Sequence, residues 1–401
     1  MKCILHIGTE KTGTTLLQDW LYSNQEVLRK ERIYLSEMLG KSNNRKLPAC
    51  FSTQFDDFAK QHGYSTYEQK AVFFEGFLDA FADEIKNAKL NSDLFIITSE
   101  HFHSRTTLRE EIQELKDFLS LHFSEIKVVC YFRNQFDTLV SLYSTALKGE
   151  DTLTLDEYLN VRATPELYYA NYLQVADNWS EVFGRDACEF RIYDRARFLD
   201  GDLRKDFISL VADNSLIASM DFSVSSANES LSYLQAVAFR RINEMYPFWT
   251  DTPVKINKDN TRKKAEILAL DSLKQGKLGS HRRAEVEQSF RSSNEEFFEK
   301  YFGSGNQFLS VDIDEKPADG SAVDCEKLID EMLGYAIQGS DFKPLTAAVD
   351  GLRDMALRMH QGAAPSKQDA LFLMQLALAG RPNGPLLKKK VAEWSKTLSV
   401  D

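Results

Sequence analysis

Residues 4–17 constrain the fold of this chain most, because they join an apolar strand, a loop rich in glycine and threonine, and the start of an amphipathic helix. In such a loop, free backbone N–H groups and the positive end of the helix dipole favour a bound phosphate-like anion. The spacing of Gly8 and Gly13 is that of a P-loop, but Thr14 stands where a nucleotide triphosphatase has a lysine. The lysine of this loop comes earlier, at Lys11.

This loop, with Lys11 ahead of Gly13, resembles the 5′-phosphosulfate loop of sulfotransferases that use 3′-phosphoadenosine-5′-phosphosulfate (PAPS). A second motif similar to that family is a strand followed by Arg133, with Ser141 eight residues later. In the family, an arginine and a serine at this spacing hold the 3′-phosphate of the nucleotide. The resemblance therefore implies that PAPS is the cofactor and 3′,5′-diphosphoadenosine its product. The implied PAPS-binding residues are Lys11, Thr12, Gly13, Thr14, Thr15, Arg133 and Ser141.

Sulfuryl transfer needs a cation beside the leaving oxygen and a base for the acceptor hydroxyl. The resemblance assigns the first role to Lys11. Glu100 and His101 follow a predicted strand, where a parallel sheet binds its ligands. Glu100 occupies a position similar to the catalytic glutamate of sulfotransferases that act on carbohydrates, which implies a saccharide or glycolipid acceptor. His101, whose ordinary pKa lies near neutrality, is the alternative base. The sulfuryl-transfer reaction itself requires no metal.

Two other functions stay open at this point. A P-loop nucleotide kinase or NTPase would use Glu100 after the apolar strand in a Walker-B-like role, but the lysine after Gly13 is missing. A catalytically silent scaffold with the same fold is the second alternative, and the presence of Lys11, Arg133 and Ser141 counts against it. A lipid or small-molecule hydroxyl also remains open as the acceptor.

The order of apolar patterns predicts the fold class. Short apolar runs alternate with stretches of helical periodicity in the order β-α-α-β-α-β-α. Runs at 94–98 and 127–132 are predicted as buried parallel strands, and 67–88 as one helix. This order is typical of an α/β protein with a parallel β-sheet flanked by helices, and the resemblance implies a P-loop-like sulfotransferase fold.

Two domains are predicted. Residues 1–311 form the sulfotransferase domain that the resemblance implies. An acidic linker at 312–320 separates it from residues 321–401, where no strand pattern is found. Amphipathic helical stretches are predicted there at 325–336, 345–359, 367–379 and 386–398. We interpret this all-helical C-terminal extension as a cap, or as the surface through which copies of the chain form a homo-oligomer.

Composition narrows the class of partner and the location. The net charge of -11 argues against a nucleic-acid partner, because such proteins usually present a dominant basic surface. The five cysteines are scattered without a C-x-x-C pair, so the sequence suggests neither a disulfide framework nor a zinc site. No leader pattern and no transmembrane run are recognised, and we expect a cytoplasmic protein.

Overall fold

The computed structural model describes residues 1–211, 214–224, 230–251, 254–269, 282–308 and 383–398, with isolated residues between 274 and 381. The chain divides into two compact units. The first contains Met1–Thr138, Arg162–Glu229 and Glu287–Leu309; the second contains Leu139–Val161, Ser230–Val286 and Ser310–Asp401. The predicted domain boundary, between 311 and 321, lies outside the described residues. The two-domain division of the sequence therefore stays a prediction.

The first unit is built on a five-stranded parallel sheet in the order β2-β3-β1-β4-β5. Its strands are β1 (Lys2–Gly8), β2 (Ile33–Leu35), β3 (Leu94–Thr98), β4 (Glu125–Phe132) and β5 (Cys188–Ile192). The central strand β1 pairs with β3 on one side and with β4 on the other. The chain therefore changes its direction of winding at β1, which is where open parallel sheets bind ligands beyond their carboxyl ends.

Helices connect these strands and continue into the second unit. In chain order they are α1 (Thr14–Ser23), α2 (Gln25–Lys30), α3 (Lys46–Phe51), α4 (Asp57–His62), α5 (Tyr67–Phe73), α6 (Phe77–Ala88), α7 (His101–Arg105), α8 (Arg109–His122), α9 (Gln135–Lys148), α10 (Leu155–Arg162), α11 (Tyr172–Phe183), α12 (Leu203–Ile208), α13 (Asn214–Ser219), α14 (Tyr233–Met245), α15 (Lys258–Leu268), α16 (Arg283–Ser289), α17 (Arg291–Phe302) and α18 (Pro385–Leu398). The predicted class, an α/β protein with a parallel sheet flanked by helices, is confirmed. Among the described residues, no helix has both the length and the apolar character that a membrane span requires.

Both faces of the sheet are covered by apolar side chains, because successive residues of a strand point to opposite faces. Leu5 and Ile97 belong to the cluster on one face, which includes the buried Trp179 of α11. Ile4 belongs to the cluster on the other face, with Trp20 of α1. Burial on both faces explains why β1 and β3 appear in the sequence as continuous apolar runs.

Two details differ from the sequence-based expectation. The helix predicted over 67–88 is two helices, α5 and α6. They separate at Gly76, which has a φ of 69° and precedes α6 as its N-cap. Glycine adopts this left-handed conformation without the steric cost that a Cβ imposes, so the chain turns there. The three-residue strand β2 was not predicted, since so short a segment carries little periodic signal.

The second unit has its own apolar cluster, which includes Tyr143 of α9, Phe239 of α14 and Trp394 of α18. It also contains an antiparallel hairpin of β6 (Trp249–Asp251) and β7 (Val254–Ile256). Helix α18 confirms the last helix predicted in the C-terminal extension. The other predicted helical stretches, at 325–336, 345–359 and 367–379, lie largely outside the described residues.

Candidate functional site

The loop between β1 and α1 has a backbone that most residues avoid. Lys11 has a φ of 66° and Gly13 a φ of 72°, both in the left-handed region. A Cβ on Gly13 would lie 2.8 Å from Cδ2 of Leu203 and 3.2 Å from the hydroxyl of Tyr193. Gly13 is therefore required both for its conformation and for the close approach of α12 and the chain after β5.

The start of α1 offers N–H donors that the protein itself does not use. The helix has no side-chain N-cap bond. Its first bond to the preceding loop runs from Leu17 N to Gly13 O over 3.1 Å. Within the described part of the chain, the N–H groups of residues 13–16 donate to no backbone oxygen. Unused donors at the positive end of a helix dipole match the oxygens of a phosphosulfate, so these residues fit that group.

Two threonines fix the loop to the sheet. Thr9 donates from its backbone N–H and its hydroxyl to the carbonyl oxygen of Tyr131 in β4, over 2.9 and 3.1 Å. The hydroxyl of Thr12 donates to the carbonyl oxygen of Thr9 over 2.6 Å. Thr9 and Thr12 are fully buried, so these bonds are shielded from water. The loop is consequently held in one conformation before any ligand binds.

Arg133, directly after β4, contacts the same loop. Its Nη1 donates to the carbonyl oxygen of Lys11 over 3.1 Å. Its guanidinium lies over the ring of Tyr193, 5.6 Å from the ring centre. Tyr193 is a site residue that the sequence analysis missed, although its place directly after the strand β5 puts it at the same edge of the sheet as Arg133. These contacts bring the predicted residues Lys11, Gly13 and Arg133 together.

Ser141 lies on α9 and belongs to the second unit, whereas Arg133 belongs to the first. Ser141 is half-buried, and its carbonyl oxygen accepts a hydrogen bond from the Thr145 hydroxyl over 3.4 Å. The shared role of Arg133 and Ser141 at a 3′-phosphate stays a prediction. Gln135, the first residue of α9, is buried and its Nε2 donates to Oδ1 of Asn294 over 2.7 Å.

Glu100 follows β3 and lies against the start of the loop between β1 and α1. A Cβ on Gly8 would be 3.2 Å from Cα of Glu100. Oε2 of Glu100 accepts a hydrogen bond from Nε2 of Gln18 in α1, over 2.7 Å. Oε1 lies 3.9 Å from Nε2 of His101 and accepts no hydrogen bond from any residue in the described part of the chain. Within the described chain, Oε2 of Glu100 is therefore hydrogen-bonded, and Oε1 is available to accept a hydrogen bond.

The ring of His101 contacts the guanidinium of Arg45. Nη1 of Arg45 lies 2.8 Å from Nε2 and 3.1 Å from Nδ1 of the His101 ring. A guanidinium has no acceptor, so the nitrogen that binds it must offer a lone pair. Burial, aided by the charge of Arg45 and opposed by that of Glu100, lowers the pKa of His101 below its ordinary value. The ring is therefore held neutral and already accepts a hydrogen bond.

Several charged side chains lie beside Glu100 and His101, and the sequence analysis did not identify them. Nη2 of Arg45 and Nε of Arg105 both donate to Oδ2 of Asp56, each over 2.7 Å. Oη of Tyr169 donates to Oε2 of Glu10 over 3.0 Å. Burial alone would raise the pKa of Glu10, but the nearby Ser104 hydroxyl and the charge of Arg105 outweigh it and lower that pKa. No local pattern marks these residues, since their partners are distant in sequence.

His103 joins the same group as a neutral side chain. Nε2 of His103 lies 2.9 Å from the carbonyl oxygen of Tyr169, and Nδ1 lies 3.5 Å from the backbone N of Glu10. Nε2 therefore carries the proton, and Nδ1 accepts the weak bond from the loop. Complete burial lowers the pKa of His103 to about 4. Among the described residues, no group of three or more His, Cys, Asp or Glu side chains could hold a metal ion.

The fold and this site define an α/β protein in which the loop that carries Lys11 and Gly13 follows the central strand of a parallel sheet. No protein-family profile matches the chain. A protein of Archaeoglobus fulgidus, described as uncharacterized, is 29% identical over 218 residues, which are 53% of this chain and 55% of that protein. The chain thus matches about half the length of this curated relative. The crystal structure of a sulfotransferase from Alicyclobacillus acidocaldarius aligns with 60% of this chain and 91% of its own, at 16% identity and a TM-score of 0.32.

Proposed function

We propose that this protein is a PAPS-dependent sulfotransferase that acts on a hydroxyl of a saccharide or glycolipid. The observation that carries the proposal is the loop after β1. Within the described residues, the N–H donors at the start of α1 have no backbone acceptor, and Nη1 of Arg133 donates to the carbonyl oxygen of Lys11. A cationic loop without the P-loop lysine after Gly13 suits a phosphosulfate better than a triphosphate with its magnesium.

In the proposed reaction, the acceptor hydroxyl forms a bond to sulfur while the bond from sulfur to the bridging phosphate oxygen breaks. The proton of the hydroxyl goes to Glu100, and Lys11 stabilises the negative charge on the bridging oxygen. Thr14 and Thr15 would bind the 5′-phosphosulfate at the helix start, and Arg133 with Ser141 would bind the 3′-phosphate. PAPS supplies the sulfuryl group, so the protein contributes position and charge.

The contacts around β3 support Glu100 over His101 as the base. His101 already accepts from Arg45 and has a lowered pKa, so it is a weak proton acceptor. Oε1 of Glu100, in contrast, accepts no hydrogen bond within the described chain, and Cα of Glu100 lies beside Gly8, where the loop that contains Lys11 begins.

The test is direct. The purified full chain is incubated with radiolabelled PAPS and a panel of hydroxyl acceptors: neutral oligosaccharides, glycolipids, simple alcohols and phenols. Labelled product with a saccharide or glycolipid supports the proposal. Product with phenols or simple alcohols alone would replace the acceptor class. A chain that binds neither PAPS nor 3′,5′-diphosphoadenosine in calorimetry would overturn the sulfotransferase assignment.

A further inference from the structure

Gln18 links the helix that begins at the anion-binding loop to the residue at the end of β3. Its side chain is buried, at 2% exposure, and its Nε2 donates to Oε2 of Glu100 over 2.7 Å. The two residues are 82 positions apart and lie on different elements, α1 and the chain after β3. We propose that Gln18 is a positioning residue, which fixes the Glu100 carboxylate relative to the helix start that binds the sulfuryl donor. This inference rests on the proposed function.

The chemistry of the amide suits this role. A neutral NH₂ group donates to the carboxylate without carrying a charge that would neutralise it. Gln18 binds Oε2, whereas Oε1 accepts no hydrogen bond from the described residues. The oxygen that must receive a proton is therefore the one left available.

The position of Gln18 on α1 relates its bond with Glu100 to the start of that helix. Gln18 lies about one helical turn after Thr14, on the helix whose first N–H groups are unused. A rigid helix thus sets both the position of the bound anion and the position of the base. A misplacement of about 1 Å between reacting groups can reduce turnover about 100-fold, so such a link affects rate more than binding.

The test replaces Gln18 without changing its shape. Gln18→Glu is nearly isosteric but replaces the donor with a carboxylate that repels Glu100. Gln18→Met is the second variant, which removes the donor while filling the same space. Turnover is measured by two assays with labelled PAPS. The first follows its hydrolysis, which releases labelled sulfate, and the second follows transfer of the labelled sulfuryl group to chitotetraose. We expect kcat to fall about 10- to 100-fold in both variants. In Gln18→Met, which adds no charge near the bound anion, KM for PAPS and Kd for 3′,5′-diphosphoadenosine should be unchanged.

Two controls separate positioning from folding. Asp19→Asn changes the exposed neighbour on the same helix and should leave kcat as it is. The exchange variant Gln18→Glu/Glu100→Gln restores an amide–carboxylate bond with its direction reversed. It should recover the thermal stability that Gln18→Glu loses, yet remain inactive, because the carboxylate then sits on α1.

The outcomes distinguish this inference from the proposed function. Wild-type kcat in folded Gln18→Glu and Gln18→Met would overturn the positioning role while leaving the sulfotransferase intact. An active exchange variant would also overturn it, since a carboxylate on α1 would then serve as the base. A wild-type chain that transfers no sulfuryl group from PAPS would remove the proposed function and, with it, this inference.

Discussion

Arg133 donates a hydrogen bond from its guanidinium to the backbone carbonyl of Lys11, over 3.1 Å. The bond joins the residue after β4 to the left-handed turn of the loop after β1. The same guanidinium lies over the ring of Tyr193, which follows β5. Arg133 is therefore held in place by two neighbouring segments, whereas a solvated surface charge would have no such contacts. A fixed guanidinium loses less entropy when it binds a phosphate.

The first prediction concerns nucleotide choice. Calorimetry should show tighter binding of 3′,5′-diphosphoadenosine than of ADP, by about 2–4 kcal/mol, because only the former has a 3′-phosphate for Arg133 and Ser141. Arg133→Ala should remove most of this difference. Arg197→Ala, at an exposed arginine after β5, is the matched control and should preserve it. Equal affinity of the wild type for both nucleotides would contradict the 3′-phosphate assignment.

The second prediction concerns metal. Thr14 replaces the P-loop lysine, and Lys11 supplies the positive charge within the loop. Sulfuryl transfer should therefore continue in the presence of EDTA, at the rate measured without it. A strict magnesium requirement accompanied by hydrolysis of ATP would instead favour the P-loop kinase or NTPase.

The third prediction separates the two candidate bases. Glu100→Gln should keep the fold and the nucleotide affinity but lower turnover by about 10²–10⁴-fold, since the proton acceptor is lost without a change of shape. His101→Asn should lower turnover much less, because His101 already accepts from Arg45. Lys11→Ala should weaken both turnover and PAPS binding. Near-normal turnover in Glu100→Gln together with loss in His101→Asn would assign the base to His101.

The fourth prediction compares two adjacent carboxylates. Asp56 is mostly buried, binds both Arg45 and Arg105, and caps α4 by accepting from Phe58 N. Asp56→Asn should lower the free energy of unfolding by about 2–4 kcal/mol, since two half-buried guanidiniums lose their shared anion. Asp57→Asn, at a carboxylate that is 53% exposed, should cost less than about 1 kcal/mol. Chemical denaturation of both variants measures the difference, and equal losses would contradict it.

The fifth prediction is a loss of stability on acidification. Burial lowers the pKa of His103 from 6.5 to about 4 and that of His6 to about 3, so both are neutral in the folded chain. The unfolded chain binds more protons below pH 6.5, and stability is lost as the pH falls from there towards 4. For His103 the loss is on the order of 3 kcal/mol. His103→Gln, which keeps a donor for Tyr169, should flatten this pH dependence only in part, because His6 remains. An unchanged slope would contradict the role of His103.

Local chemistry made part of the fold predictable. Strand β3 was predicted with the bounds it has, and β4 within two residues, because buried parallel strands are continuous apolar runs. The prediction of one continuous helix over 67–88 was wrong, because the chain turns at Gly76 although the apolar periodicity continues past it. The predicted meeting of Lys11 with Arg133 followed from a general rule, that the carboxyl ends of parallel strands share one edge.

The sequence by itself determined the local form of the loop between β1 and α1, because a left-handed glycine, the first N–H groups of a helix and the helix dipole are properties of a few consecutive residues. Only the tertiary structure decided which side chains flank it. Arg45 meets His101 across 56 positions, and Gln18 meets Glu100 across 82. Such contacts depend on how whole elements pack and have no local pattern. The neutral state of the His101 ring and the available oxygen of Glu100 follow from this packing, since burial and neighbouring groups set both.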